Sequence, residues 1–448
     1  MIWTWRVSTL SQLAVLFLTL PVALAQEANQ ISATSSTAPI TVTLQDALTR
    51  AQSNEPQFHA ALTDYGVARE QSVQARAALL PSVNYNAAFL YTQGNRTATG
   101  RFVGANGVHE YVSQGNAHQS LSLQDVADYR RARAQEALAK AKSQIAARGL
   151  VVAVVGTYYG TVVAQRKYST AQRAAGEAER FFDITQKLER GGEVAHADTI
   201  KAQLQFQQQQ RALQDAQLEM DRSRLELAVL IFPSFNENFI TVDDLQNIEP
   251  LPSYQEAEKA AGDTNPQLGA ALASLRAANQ EVAVAWNSFL PSLSLDYFYG
   301  IDANHFAVNG FDKTIGPFRN LGYSATATLQ IPIWNWGANR SKVKSAELQR
   351  DQAKVELSFT QRKLVADLKS LYGEAQTARS ELESLRLSAD LAAESQRLTT
   401  LRYQAGEATV LEVVDSQNTL TTAQNALGDG QVRFRVAVAN LETLTGKF

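Results

Sequence analysis

Leu80-Pro81-Ser82-Val83-Asn84-Tyr85-Asn86-Ala87-Ala88-Phe89-Leu90-Tyr91 decides how this chain is read, because it occurs twice. Its counterpart, Leu290-Pro291-Ser292-Leu293-Ser294-Leu295-Asp296-Tyr297-Phe298-Tyr299-Gly300-Ile301, lies 210 residues further on. In the first copy Val83, Tyr85, Ala87, Phe89 and Tyr91 alternate with Ser82, Asn84, Asn86, Ala88 and Leu90. In the second, Leu293, Leu295, Tyr297, Tyr299 and Ile301 hold the same phase. A period of two marks a strand with one apolar face, and an even offset keeps the copies in register. Each copy has a return strand: Ser113 to Leu123 alternates weakly, while Tyr323, Ala325, Ala327, Leu329 and Ile331 alternate clearly. Gly- and Asn-rich loops, 94–107 and 304–320, lie between. The expected strands cover 82–93 and 111–124 in one half, and 292–302 and 321–332 in the other.

The repeat extends outward from these strands. Asn54-Glu55-Pro56 is answered by Thr264-Asn265-Pro266 at the same offset, and Gly192-Glu193 by Gly406-Glu407 at 214. Behind the latter runs a heptad ladder, Thr199, Phe206, Leu213, Met220 and Leu227, matched by Val413, Leu420, Leu427, Phe434 and Leu441. Small residues stand between the rungs: Ala202, Ala216 and Ser223 in one, Ser416, Ala423, Gly430 and Ala437 in the other. Large facing small at sustained 3–4 spacing is a coiled-coil seam with closely approaching helices. Two matched ladders identify a tandem duplication.

All 11 prolines avoid 82–232 and 333–448, which leaves room for long unkinked helices. Leu364, Leu368, Leu371, Ala375, Ala378, Leu382, Leu385, Ala389 and Ala392 keep a strict period of 3.5, which demands a left-handed supercoil. A second stripe, Leu387, Leu391, Leu398 and Leu401, gives that helix a neighbour on another face, as in a wall or barrel of helices. A helix from Gly337 to Gln404 would reach about 100 Å, and one from Asp128 to Arg190 about 95 Å. The run Gln205 to Gln210 sits on the first ladder and reads as polar helix surface.

Composition narrows the function classes. The 448 residues include 68 Ala and 39 Gln but no Cys, and 19% are charged, against roughly 25% in ordinary domains. Absent cysteine rules out disulfides, thiolate metal sites, a catalytic thiol and a lipidated N-terminal Cys. A formal charge of −3 offers no basic face to nucleic acid. The five histidines have no His partner three or four residues away, so no metal is expected. No GxxxxGK[ST], GxSxG or HExxH string occurs, so neither an enzyme nor a cofactor is expected.

Arg6, the apolar run Leu13 to Leu20 and Ala23-Leu24-Ala25 read as a secretory signal cleaved before Gln26. Cleavage would leave a net charge of −4, since Arg6 is the only charge removed. That run falls short of the about 20 residues a membrane-spanning helix needs. The longest later apolar block, Leu150 to Val155, is shorter still. An exported chain of this kind is either free or enters an outer membrane as strands. Ten-residue strands with one apolar face and aromatic ends fit a barrel that is polar inside. The smallest such barrels have about eight strands, so four cannot close and several chains must contribute four each.

This order of elements resembles the TolC-like outer-membrane efflux protein family: short helix, Leu-Pro-Ser, strand pair, very long helix, Gly-Glu turn, shorter helix, all given twice. Three features carry the resemblance. The corners at Pro81 and Pro291 look like the family's helix-to-strand turn. Ile331-Pro332-Ile333-Trp334-Asn335-Trp336-Gly337 is similar to its strand-to-helix exit, and Tyr403 to Asp415, which reads YQAGEATVLEVVD, to its periplasmic tip. The resemblance divides the chain into a signal peptide (1–25), a flexible segment (26–41), a first repeat (42–232), a linker (233–253) and a second repeat (254–448). It implies a mainly α fold with a β-barrel segment, closed as a homotrimer: a 12-stranded transmembrane barrel above a 12-helix coiled-coil tunnel. It further implies a periplasmic adaptor and an inner-membrane pump of RND, ABC or MFS type as partners, outer-membrane lipid around the barrel, and drugs, metals or secreted proteins as cargo.

A conduit needs a bore, a closed end and docking surfaces. Glu412 and Asp415, three apart on the first turns of a helix, face one direction, where the helix dipole favours them. Around a pore the pair would become rings of carboxylates that select cations and attract basic adaptor residues. By resemblance Glu412 and Asp415 match the family's acidic constriction, and Asp198 and Tyr403 match members of its closing network. Gly191, Gly192 and Gly406 are expected in αL turns, and these tips, with Glu193 and Glu407, would meet an adaptor hairpin.

Two departures follow. The family's tip arginine is missing, Glu407-Ala408 standing in its place, so the closing link is weaker or is remade with Arg402 or Arg190. Also, Leu123-Gln124-Asp125-Val126 lacks a proline, and Gln124 precedes Tyr158 by 34 residues where Gln330 precedes Tyr372 by 42. Either the first long helix is about two turns shorter, or its preceding strand ends earlier. The rival reading, a periplasmic coiled-coil structural or adaptor protein without a barrel, lacks a use for two long strand pairs.

Overall fold

The computed structural model describes residues 39–91, 109–234, 238–247, 250–303, 305–312 and 314–446. The expected signal peptide and the loop at 94–107 lie outside the described residues. The first half comprises β1 (Ile40–Val42), α1 (Leu44–Asn54), α2 (Pro56–Ala77), β2 (Ser82–Tyr91), β3 (His109–Leu121), α3 (Leu123–Arg190) and α4 (His196–Ile231). The second comprises β4 (Phe239–Thr241), α5 (Tyr254–Thr264), α6 (Pro266–Asn287), β5 (Ser292–Ala303), β6 (Asn309–Asp312), β7 (Gly316–Arg319), β8 (Leu321–Gln330), α7 (Ala338–Gln404) and α8 (Val410–Thr445).

The duplication reaches individual hydrogen bonds. Thr43 with Asp46, and Ser253 with Glu256, form capping boxes that start α1 and α5. Pro56 and Pro266 open the following helices, where a missing N–H costs nothing. At the end of α1 the Asn54 amide donates to the Ile231 carbonyl at 2.9 Å; at the end of α5 the Thr264 hydroxyl donates to the Thr445 carbonyl at 2.7 Å. Each short helix thus ties off the C-terminus of the 36-residue helix in its own half.

One antiparallel sheet, in the order β2-β3-β5-β8, gathers the strands of both halves. Its register puts Val83 opposite Ala117, Ala117 opposite Tyr297 and Tyr297 opposite Ala325, so one face is apolar. The other face carries Asn84, Asn116, His118, Asp296 and Thr326. Across it the His118 ring pairs with the Asp296 carboxylate at 2.7 Å. β2 and β8 are both edges, with no strand beyond them among the described residues.

The helices continue this order. Next to the sheet, α2 packs on α3, α3 on α6 and α6 on α7; further away α4 packs on α3, α3 on α8 and α8 on α7. Leu368, Ala375, Ala378, Leu382, Ala389 and Ala392 of the strict ladder are buried along α7. Between the two levels, Val154, Tyr158, Tyr159 and Val162 of α3 pack with Val42, Leu227, Ile231 and Phe239. The apolar block at 150–155 belongs to this core. Burial pushes the Tyr158 phenol up to about 12, so it remains a donor, to the Val42 and Val242 carbonyls at 3.1 and 2.9 Å.

The two long helices differ by a single residue, with 68 in α3 and 67 in α7. The spacing difference lies before them. Tyr158 stands 35 residues after the start of α3 and Tyr372 34 after the start of α7. β3 ends at Leu121, and Ser122 caps α3 at once, its hydroxyl accepting from the Asp125 N–H at 3.0 Å. In the second half Pro332 cannot donate to a ladder, and an irregular stretch runs to Gly337, the αL cap of α7 at φ 82°. Trp336 is itself at φ 55°, and its side chain is 90% exposed.

Ala375 is fully buried opposite large partners, whereas Ala393 on the same helix is exposed. Ala375→Leu should overpack the seam and cost about 1–3 kcal/mol. Thermal unfolding followed by helical circular dichroism should show a lower midpoint for it and no change for Ala393→Leu.

Candidate functional site

The ends of the two long hairpins lie together, far along the helices from the sheet. Phe181 of α3, Ala202 of α4, Tyr403 of α7, and Val410 and Val413 of α8 form one buried cluster there. All four helices meet in it, so the two turns sit on a common apolar base.

Each turn is built by glycine. Gly192 adopts φ 81° and Gly406 φ 78°, a region open to glycine and strained for other residues. Gly191, expected in the same region, instead closes α3 in the αR conformation, and only its successor turns. The N–H groups of Gly192 and Glu193 donate to the Glu189 and Leu188 carbonyls, both at 2.9 Å. Those of Gly406 and Glu407 donate to the Tyr403 and Arg402 carbonyls at 3.0 and 2.8 Å. Gly191, Gly192, Glu193, Gly406 and Glu407 are all exposed.

Thr409 caps α8 with Glu412 in a capping box: the Glu412 N–H donates to the Thr409 hydroxyl at 3.3 Å, and the Thr409 N–H to the Glu412 carboxylate at 3.2 Å. Arg402 approaches the same carboxylate at 3.6 Å while donating to the Glu407 carbonyl at 3.0 Å. Of the two arginines weighed as substitutes for the missing one, Arg402 is therefore the one beside the acid. Asp415, one turn on, is exposed. Asp198, on the first turn of α4, pairs with Lys201 at 3.6 Å.

Tyr403 is buried, its ring 5.0 Å from that of Phe181 and its hydroxyl 3.4 Å from the Thr185 hydroxyl. It therefore supports the tip from beneath. Two further contacts carried no sequence signal. The His196 ring reaches Glu189 at 2.7 Å across the first turn, and the buried Gln205 and Gln209 amides donate to Asn418 at 2.9 and 3.1 Å. Those two glutamines link α4 to α8, while Gln207, Gln208 and Gln210 are exposed, so the reading of the run as polar surface holds at three of its five glutamines and not at these two. Among the described residues no three His, Asp or Glu side chains converge as metal ligands do.

A four-stranded sheet with one apolar face, joined by short connections to paired helical hairpins that end in an acidic turn, is the architecture of an outer-membrane channel subunit. Residues 47–231 and 259–447 match the sequence profile of the outer membrane efflux proteins. The chain is 23% identical over 400 residues to the alkaline protease secretion protein AprF of Pseudomonas aeruginosa, covering 88% of this chain and 82% of that one. It is also 23% identical over 416 residues to outer membrane protein TolC of Escherichia coli, covering 89% and 80%. The fold matches the Campylobacter jejuni CmeC outer membrane channel with a TM-score of 0.77, over 90% of this chain and 85% of that one at 18% identity. The chain belongs to the outer membrane efflux protein family and resides in the outer membrane.

The Thr199 hydroxyl and the His196 ring hold the Glu189 carboxyl below its usual range. The turn's stabilisation should be complete above the unfolded value near 4.5 and disappear as pH falls through the lower folded one. Protection factors of the amides at 189–196, with exchange corrected for its intrinsic pH dependence, should fall in that window for the wild type and stay flat for Glu189→Gln.

Proposed function

We propose that three copies close head to tail into one duct that carries cargo from the periplasm through the outer membrane. The supporting observation is the matching of the two edges. On one side stand β2, α2 and α4, with Val67, Val73, Ile200, Leu204, Leu218 and Leu225 exposed. On the other stand β8 and α7, with Leu387, Leu391, Leu398 and Leu401 exposed, Leu391 by 62%. The two edges differ, so contact between them is heterologous, the kind that closes into a ring when the rotation between copies allows it. Four strands per copy give twelve in a trimer, the number the family resemblance implies.

In such a ring the periplasmic gate comprises Glu412, Asp415 and Asp198, with Tyr403 anchoring the turn below. Arg402 offsets part of the charge on Glu412, so Asp415 carries more of the ring's field. The exposed turns at Gly191-Gly192-Glu193 and Gly406-Glu407 are the surface for a periplasmic adaptor, which couples the duct to an inner-membrane pump of RND, ABC or MFS type. Both efflux and type I secretion fit this arrangement, since the pump and not the duct selects the cargo.

The purified protein in detergent should have the mass of three chains by light scattering. In planar bilayers Asp415→Ala should lower cation preference by about twofold or more, Glu412→Ala by less, and Arg402→Ala should raise it. Identical currents from all four proteins would leave these groups as helix-terminus charges only.

A further inference from the structure

The segment between β5 and β8 lies at the end of the sheet away from the helices, and its described residues, 305–312 and 314–320, form a hairpin. β6 pairs with β7 from Asn309 opposite Arg319 to Asp312 opposite Gly316. Asn320 closes the base: its N–H donates to the Val308 carbonyl and its side-chain amide to the Ala307 carbonyl, both at 2.8 Å. The Phe318 ring covers Gly310, where an added Cβ would stand 2.5 Å from it. Such a hairpin would ordinarily be polar, yet Phe306, Val308, Phe311, Ile315 and Phe318 are exposed, Phe311 by 71% and Ile315 by 73%. Phe318 and Phe311 belong to adjacent cross-strand pairs and so lie on opposite faces, and apolar exposure on both faces of a hairpin marks a contact surface.

The hairpin's root shows which way it leans. The Phe306 ring lies 6.4 Å from that of Tyr111, which lies 4.8 Å from that of Phe89. Tyr111 pairs with Phe89 and Ala303, so this aromatic stack belongs to the sheet's apolar face and not to its polar one. On the hairpin itself Arg319 is opposite Asn309 and Phe311 opposite Pro317. Pairs two residues apart share a face, so an exposed cation and an exposed aromatic ring stand side by side. That pairing is the composition of segments that rest at a membrane interface, the ring among acyl chains and the cation at headgroup phosphates.

We infer that the β6–β7 hairpin is a lipid-binding element that lies on the outer leaflet, with Phe311 and Arg319 at the boundary between acyl chains and anionic headgroups. The inference rests on the reading of the sheet as a lipid-embedded barrel, whose apolar face the hairpin continues. The competing occupant is a second copy of the hairpin, meeting it over the bore. The aromatic root on the lipid side argues against that arrangement.

The absence of cysteine makes a clean test possible. Full-length Phe311→Cys and Tyr297→Cys, each carrying an environment-sensitive fluorophore, are reconstituted into phosphatidylethanolamine–phosphatidylglycerol vesicles with spin-labelled acyl chains. Leu295→Cys replaces Tyr297→Cys should the latter fold poorly. The expected result is quenching by the lipid at both positions, with little quenching by aqueous iodide. Adding Arg319→Gln, which removes one positive charge, should reduce lipid quenching at position 311 about fivefold, the factor one charge is worth near an anionic surface. Lipid quenching on the sheet but only iodide quenching at 311 overturns the hairpin inference and leaves the barrel standing. Excimer emission from pyrene at position 311 overturns it in favour of contact between copies. Iodide quenching at both positions overturns the barrel reading and this inference together.

Discussion

A backbone amide in the hydrocarbon layer has no water to bond, so each must find a partner within the protein. The four-stranded sheet satisfies that condition along three ladders and fails it along two, at the outer edges of β2 and β8. Most of what is distinctive in the molecule follows from this. The helices repeat the strand order, so the same two sides that lack hydrogen-bond partners also carry unpaired apolar seams. A subunit that needs a neighbour for its backbone needs one for its side chains too, which couples closure of the proposed barrel to closure of the proposed tunnel.

Besides the β3–β5 ladder and the α3–α6 packing, one side chain ties the two halves together. Arg148 of α3 donates to the Thr443 carbonyl at 2.8 Å and to the Thr264 carbonyl at 3.0 Å. A guanidinium at the last turns of α8 and α5 satisfies carbonyls that have no helical partner and offsets both helix dipoles. The halves diverge at the strand-to-helix exit. Ser122 turns β3 into α3 within one residue, whereas the second half inserts a proline-broken segment carrying Trp334 and Trp336. Their rings meet edge to face at 5.8 Å on a surface that the rest of the chain leaves open.

Much of this was legible in the residues. Alternation over ten positions, given twice in phase, is hard to satisfy except by strands with one apolar face, and the strict ladder on α7 specified which residues are buried. Where the reading failed, chemistry alone was ambiguous. Gln205 and Gln209 look like surface because an amide is usually solvated; Asn418, more than 200 residues away, makes them buried. Tyr403 is a different case: its motif makes it a candidate for the closing network, and the Phe181 ring and Thr185 hold it inside the tip. The apparent shortening of the first long helix was a count made from the wrong origin, since the extra residues belong to the exit segment.

The sequence by itself determined the duplication, the strand and helix periods and the acidic, glycine-turned tip, because each is a local pattern that survives without knowledge of neighbours. Tertiary structure decided which edges remain open, that Arg402 stands beside Glu412, and that the described residues between β5 and β8 form a hairpin leaning to the apolar face. Those facts depend on residues far apart in the chain meeting in space, and pairing across such distances is set by packing geometry, which no local pattern encodes.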